Sequence, residues 1–170
     1  MSASLMSSTL PAGLGQKPAP GAVFDLGVSR LFGHGDLGDE GMVSGWAVPE
    51  DNHNWNDGIE ASFVLAVKAG GGALELVVEG VPLTGETCPS QDITLYANGF
   101  RVGFWCLNEG GPQRLTARIE PEQVFWRGKL GYIKCVWVMP NSVRLSEIRD
   151  STDTRQLAFC FRSILLRDVQ

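Results

Sequence analysis

The stretch from Gly45 to Glu60 reads Gly-Trp-Ala-Val-Pro-Glu-Asp-Asn-His-Asn-Trp-Asn-Asp-Gly-Ile-Glu and holds two of the chain's 5 tryptophans and one of its 2 histidines. Indole rings present flat apolar faces, and the amide, imidazole and carboxylate groups beside them donate and accept hydrogen bonds. A ligand that is apolar on its ring faces and polar around its rim, as a sugar is, needs both. Trp55 is therefore the candidate stacking platform, with Glu50, Asn52, His53, Asn54, Asn56 and Asp57 as candidates for bonding hydroxyls. The competing reading of Trp55 is a loop anchor folded onto the end of the domain, since Trp is usually largely buried.

The same stretch offers weaker grounds for catalysis or metal binding. Glu50, Asp57 and Glu60 are acids of the kind that glycosidases pair, one protonated and one ionised, but solvated loop acids or an acid tied to Arg155 are much commoner. His53 has no recognisable nucleophile motif to activate and reads as a solvated loop histidine, as does His34 between two glycines. Oxygen ligands alternate from Asn52 to Asp57 as a calcium loop would want, yet the EF-hand pattern fails because His53 occupies its third place from Asp51 and no acid closes it. We expect no catalytic residue, no metal and no cofactor.

These residues must be held by a fold, and the composition points to one built of strands. Of 170 residues, 21 are Gly and 9 are Pro, which supplies many turns, while 44% hydrophobic residues supply a core. The length suits one domain. Residues 1–21, rich in Ser, Ala, Gly and Pro, read as a flexible N-terminal arm, and residues 22–170 as the folded domain. Short β-like runs follow: Ala22 to Leu26, Gly41 to Val48, Ile59 to Lys68, Ala73 to Glu79, Asp92 to Ala97, Phe100 to Leu107, Gln113 to Ile119, Gly131 to Met139 and Arg155 to Arg167. Alternation puts Phe63, Leu65 and Val67 on one face, and Leu74, Leu76 and Val78 on one face of the next run. Asn98-Gly99 is a type I′ hairpin signal, because both residues tolerate positive φ. Gly70-Gly71-Gly72 reads as a flexible turn between neighbouring strands, and Glu120 to Phe125 as the one, short, helical candidate. The spacing predicts an all-β chain, a jelly-roll-like antiparallel β-sandwich.

Trp46 and Trp137 alternate with apolar neighbours and are expected in the core, the side of Trp105 is ambiguous, and Phe125-Trp126 is either plain packing or a partner surface. The 4 cysteines are widely spaced without a Cys-x-x-Cys pair, so Cys88, Cys106, Cys135 and Cys160 are expected to be buried free thiols. The net charge of -5 and the lack of a Lys/Arg cluster argue against nucleic acid. The apolar runs are too short to span a bilayer. The N-terminus lacks a basic segment followed by a continuous apolar one, which makes cytoplasmic residence the expectation.

A set of landmarks occurs in order: Gly45-Trp46, Pro49-Glu50, Trp55, Asp57-Gly58, Asn98-Gly99, Met139-Pro140-Asn141, and Ser151-Thr152-Asp153-Thr154-Arg155-Gln156-Leu157. This order resembles a bacterial glycan-associated β-sandwich domain, the uncharacterised C-terminal domain of phosphoglycerol transferases that decorate periplasmic glucans, and modules attached to glycosyltransferases. It covers roughly Phe32 to Leu166. The chain departs from that pattern at Ala158, where the family tends to have Gly, and at Ser142-Val143, where it tends to have Ser-Pro. The resemblance is to an accessory domain, so it transfers no catalytic residue; it implies glycan recognition or association with a glycan-synthesis protein. Together the residues and the resemblance lead us to expect a non-catalytic carbohydrate-binding or glycan-synthesis accessory module. The alternatives are a structural module that forms a homo-oligomer or docks on a synthase complex, and a small glycan-active enzyme using the loop carboxylates.

Overall fold

The structure, a computed structural model, describes residues 22–68 and 71–169; the segment read as an arm and Gly70 lie outside the described residues. The strands are β1 (Ala22–Phe24), β2 (Ser29–Leu31), β3 (Met42–Ser44), β4 (Asn54–Trp55), β5 (Glu60–Val67), β6 (Leu74–Pro82), β7 (Gln91–Ala97), β8 (Phe100–Leu107), β9 (Gln113–Ile119), β10 (Phe125–Arg127), β11 (Leu130–Val138), β12 (Val143–Arg144), β13 (Gln156–Leu157) and β14 (Phe159–Asp168). One four-residue helix, α1 (Leu145–Ile148), and two 3-10 turns, Leu37–Asp39 and Pro121–Gln123, complete the elements among the described residues.

They form a jelly-roll-like β-sandwich. A seven-stranded sheet runs β1-β5-β11-β7-β8, with β3 beside β5 and β10 beside β11; a five-stranded sheet runs β2-β14-β6-β9, with β4 beside β14. Among the described residues all strand pairings are antiparallel except β1 with β5. The chain changes sheet at every step from β1 to β7, again between β8 and β9 and between β9 and β10, and finally between β11 and β14 by way of the β12–β13 pair. The strands on either side of the glycine segment, β5 and β6, thus lie in different sheets. Asn98 at φ 48 and Gly99 at φ 88 make the expected hairpin between β7 and β8.

Alternation decides which side chains fill the space between the sheets. Phe63, Leu65 and Val67 of β5, Ile133, Cys135 and Trp137 of β11, and Leu74, Leu76 and Val78 of β6 are all buried in one continuous core. Burying each such side chain contributes about 1.5–3 kcal/mol before its entropic cost. Rings lock the sheets together: Trp137 meets Phe161 edge-on at 5.3 Å, and Trp105 stacks on Trp137 at 6.1 Å, which puts Trp105 on the inner side. Trp46 stacks on Phe32 and donates from Nε1 to the Ser62 carbonyl at 2.8 Å, so it packs against the core as expected. Trp126 also packs partly against the core, while Phe125 beside it is exposed. Cys88, Cys135 and Cys160 are buried free thiols, but Cys106 is exposed, because it lies opposite Asp92 on the outer side of the edge strand β8. The segment Glu120 to Phe125 forms only the Pro121–Gln123 turn, since Phe125 is drawn into pairing with Tyr132 of β11. No helix among the described residues is long and apolar enough to cross a membrane.

Candidate functional site

The Gly45 to Glu60 stretch is folded tightly onto both sheets. Gly45 has φ 75, and a Cβ at that position would lie 1.8 Å from the Glu60 carbonyl oxygen, so only glycine admits the approach. The Ala47 N–H donates to the Trp55 carbonyl and the Glu50 N–H to the His53 carbonyl, both near 3 Å, which turns the chain back and delivers β4 to β14. Asn54 then pairs with Phe161 and Trp55 with Cys160.

This register separates residues that stand side by side in sequence. Asn54 shares the inward face of Phe161 and is 1% exposed; neither atom of its carboxamide has a hydrogen-bond partner among the described residues. Trp55 stands on the opposite, outer face and is half-buried. Asn56 is wholly buried, and its Oδ1 accepts from the N–H of Ala158 and of Phe159, each at 2.9 Å. Asp57 accepts from the Gln156 N–H at 2.9 Å and holds β13 in place. Trp55, Asn52 and His53 are brought together; Asn54 and Asp57 are directed elsewhere.

The outer face of the five-stranded sheet carries a groove of about 620 Å³. Trp55, His53 and Asn52 line it from the loop side, Leu31 from β2, Val81 from β6, and Cys160, Arg162 and Ser163 from β14. His53 is positioned on both ring nitrogens, 3.1 Å from Glu50 Oε2 through Nε2 and 2.9 Å from Asn52 Oδ1 through Nδ1. It is therefore a held side chain and not the solvated one its sequence context implies. Glu50 also faces Arg155 Nη1 at 3.9 Å, and Arg155 is gripped by Asp153 through contacts of 2.7 to 3.1 Å. Asp153 is held below the usual carboxylate range by these donors and by the Arg155 N–H. Burial pushes the Cys160 thiol up to about 11, against the pull of the Arg162 guanidinium, so Cys160 is a neutral floor to the groove and no nucleophile.

Arg162 and Ser163 owe their places to an irregularity. Along β14 the partners on β6 step from Gly80, opposite Phe161, to Glu79, opposite Ser163, leaving Arg162 as the extra residue of a bulge. The bulge sets two consecutive side chains on the outer face, whereas simple alternation would turn one of them inward. Sequence reasoning missed both. The available signal was the polar pair Arg162-Ser163 interrupting the apolar run Phe159 to Leu166.

A second concavity of about 610 Å³ lies near the end of the same sheet, lined by Leu26, Glu75, Arg167 and Asp168. There the cation and acid are paired with each other, Arg167 with Glu75, and no aromatic ring is present. His34, the other histidine, is exposed and meets Asp39 at 3.3 Å, away from the groove's lining.

No protein-family model and no curated protein matches the sequence, so the resemblance to the phosphoglycerol-transferase domain rests on its short motifs alone. Among solved structures, the chain is similar to the CBM36-1 domain of a multidomain xylanase from the hindgut metagenome of Trinervitermes trinervoides, with TM-score 0.43 and 11% identity over 69% of this chain and 78% of that one. It is also similar to part of a family GH115 4-O-methyl-α-glucuronidase with specificity for decorated arabinogalactans, with TM-score 0.45 and 7% identity over 98% of this chain and 20% of that one. Neither likeness is close enough to bear on the groove.

Proposed function

We propose that the protein is a non-catalytic carbohydrate-binding module whose contact surface is the groove on the five-stranded sheet. The observation that carries this reading is the half-buried Trp55 ring standing on the outer sheet face in one groove with His53, Asn52 and Arg162. A sugar ring stacks its C–H face on the indole, the Asn52 amide N–H groups and the Arg162 guanidinium bond its hydroxyls, and His53 holds Asn52 in place. The acids support the non-catalytic reading, because Glu50 is engaged by His53 and Arg155, and Asp57 by the Gln156 N–H. A finer placement, as an accessory of glycan synthesis that docks on a synthase protein, rests on the motif resemblance.

The test is a glycan array with the wild type and Trp55→Ala. Because Trp55 projects from a two-residue strand whose neighbour Asn56 carries the local hydrogen bonds, the substitution is expected to reduce glycan retention at least tenfold and to cost only about 1–2 kcal/mol of stability. A blank array from folded wild-type protein, or a stability loss beyond about 4 kcal/mol in the variant, makes Trp55 an anchor and defeats the reading.

A second reading, a module that self-associates, is favoured by Phe104 and Phe125, 57% and 65% exposed on the outer face of the seven-stranded sheet. It predicts a mass that rises above 18.4 kDa with concentration, and Phe104→Glu restoring the monomer.

A further inference from the structure

We infer that the groove takes an acidic saccharide, one whose ring carries a carboxylate, with Arg162 as the group that selects it. The inference rests on the carbohydrate-binding reading of the same groove and names its ligand class.

Most charges at the groove are already balanced. Glu50 sits between His53 and Arg155, and Arg155 is held by Asp153. Glu79, on the outer face of β6 opposite Ser163, has Arg114 at 3.8 Å and the Ser163 hydroxyl at 3.5 Å. Arg162 has no carboxylate at ion-pair distance among the described residues; Arg101, Arg127 and Arg149 share that state, but none of them lines the groove. The Arg162 backbone is fixed, since its carbonyl accepts from the Phe32 N–H at 3.0 Å and the bulge sets its direction. An exposed Arg in a flat strand would be an ordinary solubilising charge. Here a bulge turns it onto the wall of a concave site that also presents an aromatic face.

Guanidinium matches carboxylate geometry through two parallel N–H donors, which is a stronger and more directional bond than it makes to a hydroxyl. A neutral sugar offers the cation only hydroxyls and the weaker bond; a uronate engages it bidentately while its ring lies on Trp55.

The probes are short oligomers of galacturonate, mannuronate and guluronate, each beside its carboxyl-reduced counterpart, measured by calorimetry against the wild type, Arg162→Gln and Trp55→Ala. The expected result is that at least one oligouronate binds about tenfold or more tightly than its reduced form, as a charge-assisted bond provides. That preference should shrink with added salt and vanish in Arg162→Gln, while Trp55→Ala loses both the acidic and the reduced form. Equal binding of acidic and reduced oligomers, or a preference that survives Arg162→Gln, overturns the choice of an acidic ligand and leaves the carbohydrate-binding reading standing. No binding to either form, with a blank array, overturns both.

Discussion

Asn56 clamps Ala158: its carboxamide oxygen accepts the backbone N–H of Ala158, and that of Phe159 next to it, both at 2.9 Å inside the protein. The same side chain donates from Nδ2 to the Gly58 carbonyl at 2.7 Å, to Ser142 Oγ at 3.2 Å and to the Gln156 carbonyl at 3.3 Å. It thereby joins the start of β14 to the loop that presents Trp55. Asn56→Ala leaves two buried N–H groups without an acceptor, each worth about 1–3 kcal/mol. A loss of about 2–5 kcal/mol in urea unfolding is expected, and Asn56→Asp should also destabilise because a carboxylate would face two carbonyls. A loss under about 1 kcal/mol would show that the clamp is replaceable.

Two residues earlier the sign reverses. Asn54 is as buried as Asn56, but its carboxamide is unpaired among the described residues. Removing a buried polar group that lacks a partner relieves its desolvation cost, and Leu has a similar volume and shape. Asn54→Leu should therefore hold or raise the thermal midpoint, by the equivalent of about 1 kcal/mol, without changing the groove on the other face. A clear fall in midpoint would count against this account of the site.

This contrast shows how far the sequence could be read. The strands β5, β6, β9 and β11 were legible because their apolar residues alternate, and the β7–β8 hairpin because Asn98-Gly99 fixes the turn locally. The two-residue β4 and three-residue β2 carry no period; they exist because β14 offers them unpaired edge groups from a distant part of the chain. Trp55 and His53 could be singled out by residue type. Residue type could not tell that Asn54 points inward and Asn56 is a structural clamp, since that depends on register. Arg162 was hidden for the same reason, because a bulge is a property of two strands and not of one.

Backbone conformation gives a third prediction. Gly45 and Gly99 both have positive φ, at 75° and 88°, but a Cβ at Gly99 meets open space while one at Gly45 would strike the Glu60 carbonyl. Gly99→Ala should cost about 1 kcal/mol from backbone strain alone. Gly45→Ala must also push β5 away from the loop, and an exceptional loss of about 4 kcal/mol or more is expected, with glycan retention falling as the loop shifts. Equal effects in chemical denaturation would sink the steric argument.

Acid titration tests the network behind His53. Because Asp153 is held below its ordinary value of 3.8 by the Arg155 side chain and N–H, the folded state binds this proton less readily than the unfolded chain. The stability it contributes is therefore fully present above the ordinary carboxylate range and is lost as pH falls through the depressed folded-state value. Asp153→Asn keeps an acceptor but removes the charge, so its thermal midpoint should lie below that of the wild type at neutral pH. The gap should close as pH falls below the ordinary carboxylate value and through the depressed folded-state one. Asp153 is exposed enough for water to screen the pair, so the gap should be small and should narrow with added salt. A gap that persists at low pH would mean that Asp153 acts through its shape and hydrogen bonds alone, and that its charge does nothing to hold Arg155 beside Glu50.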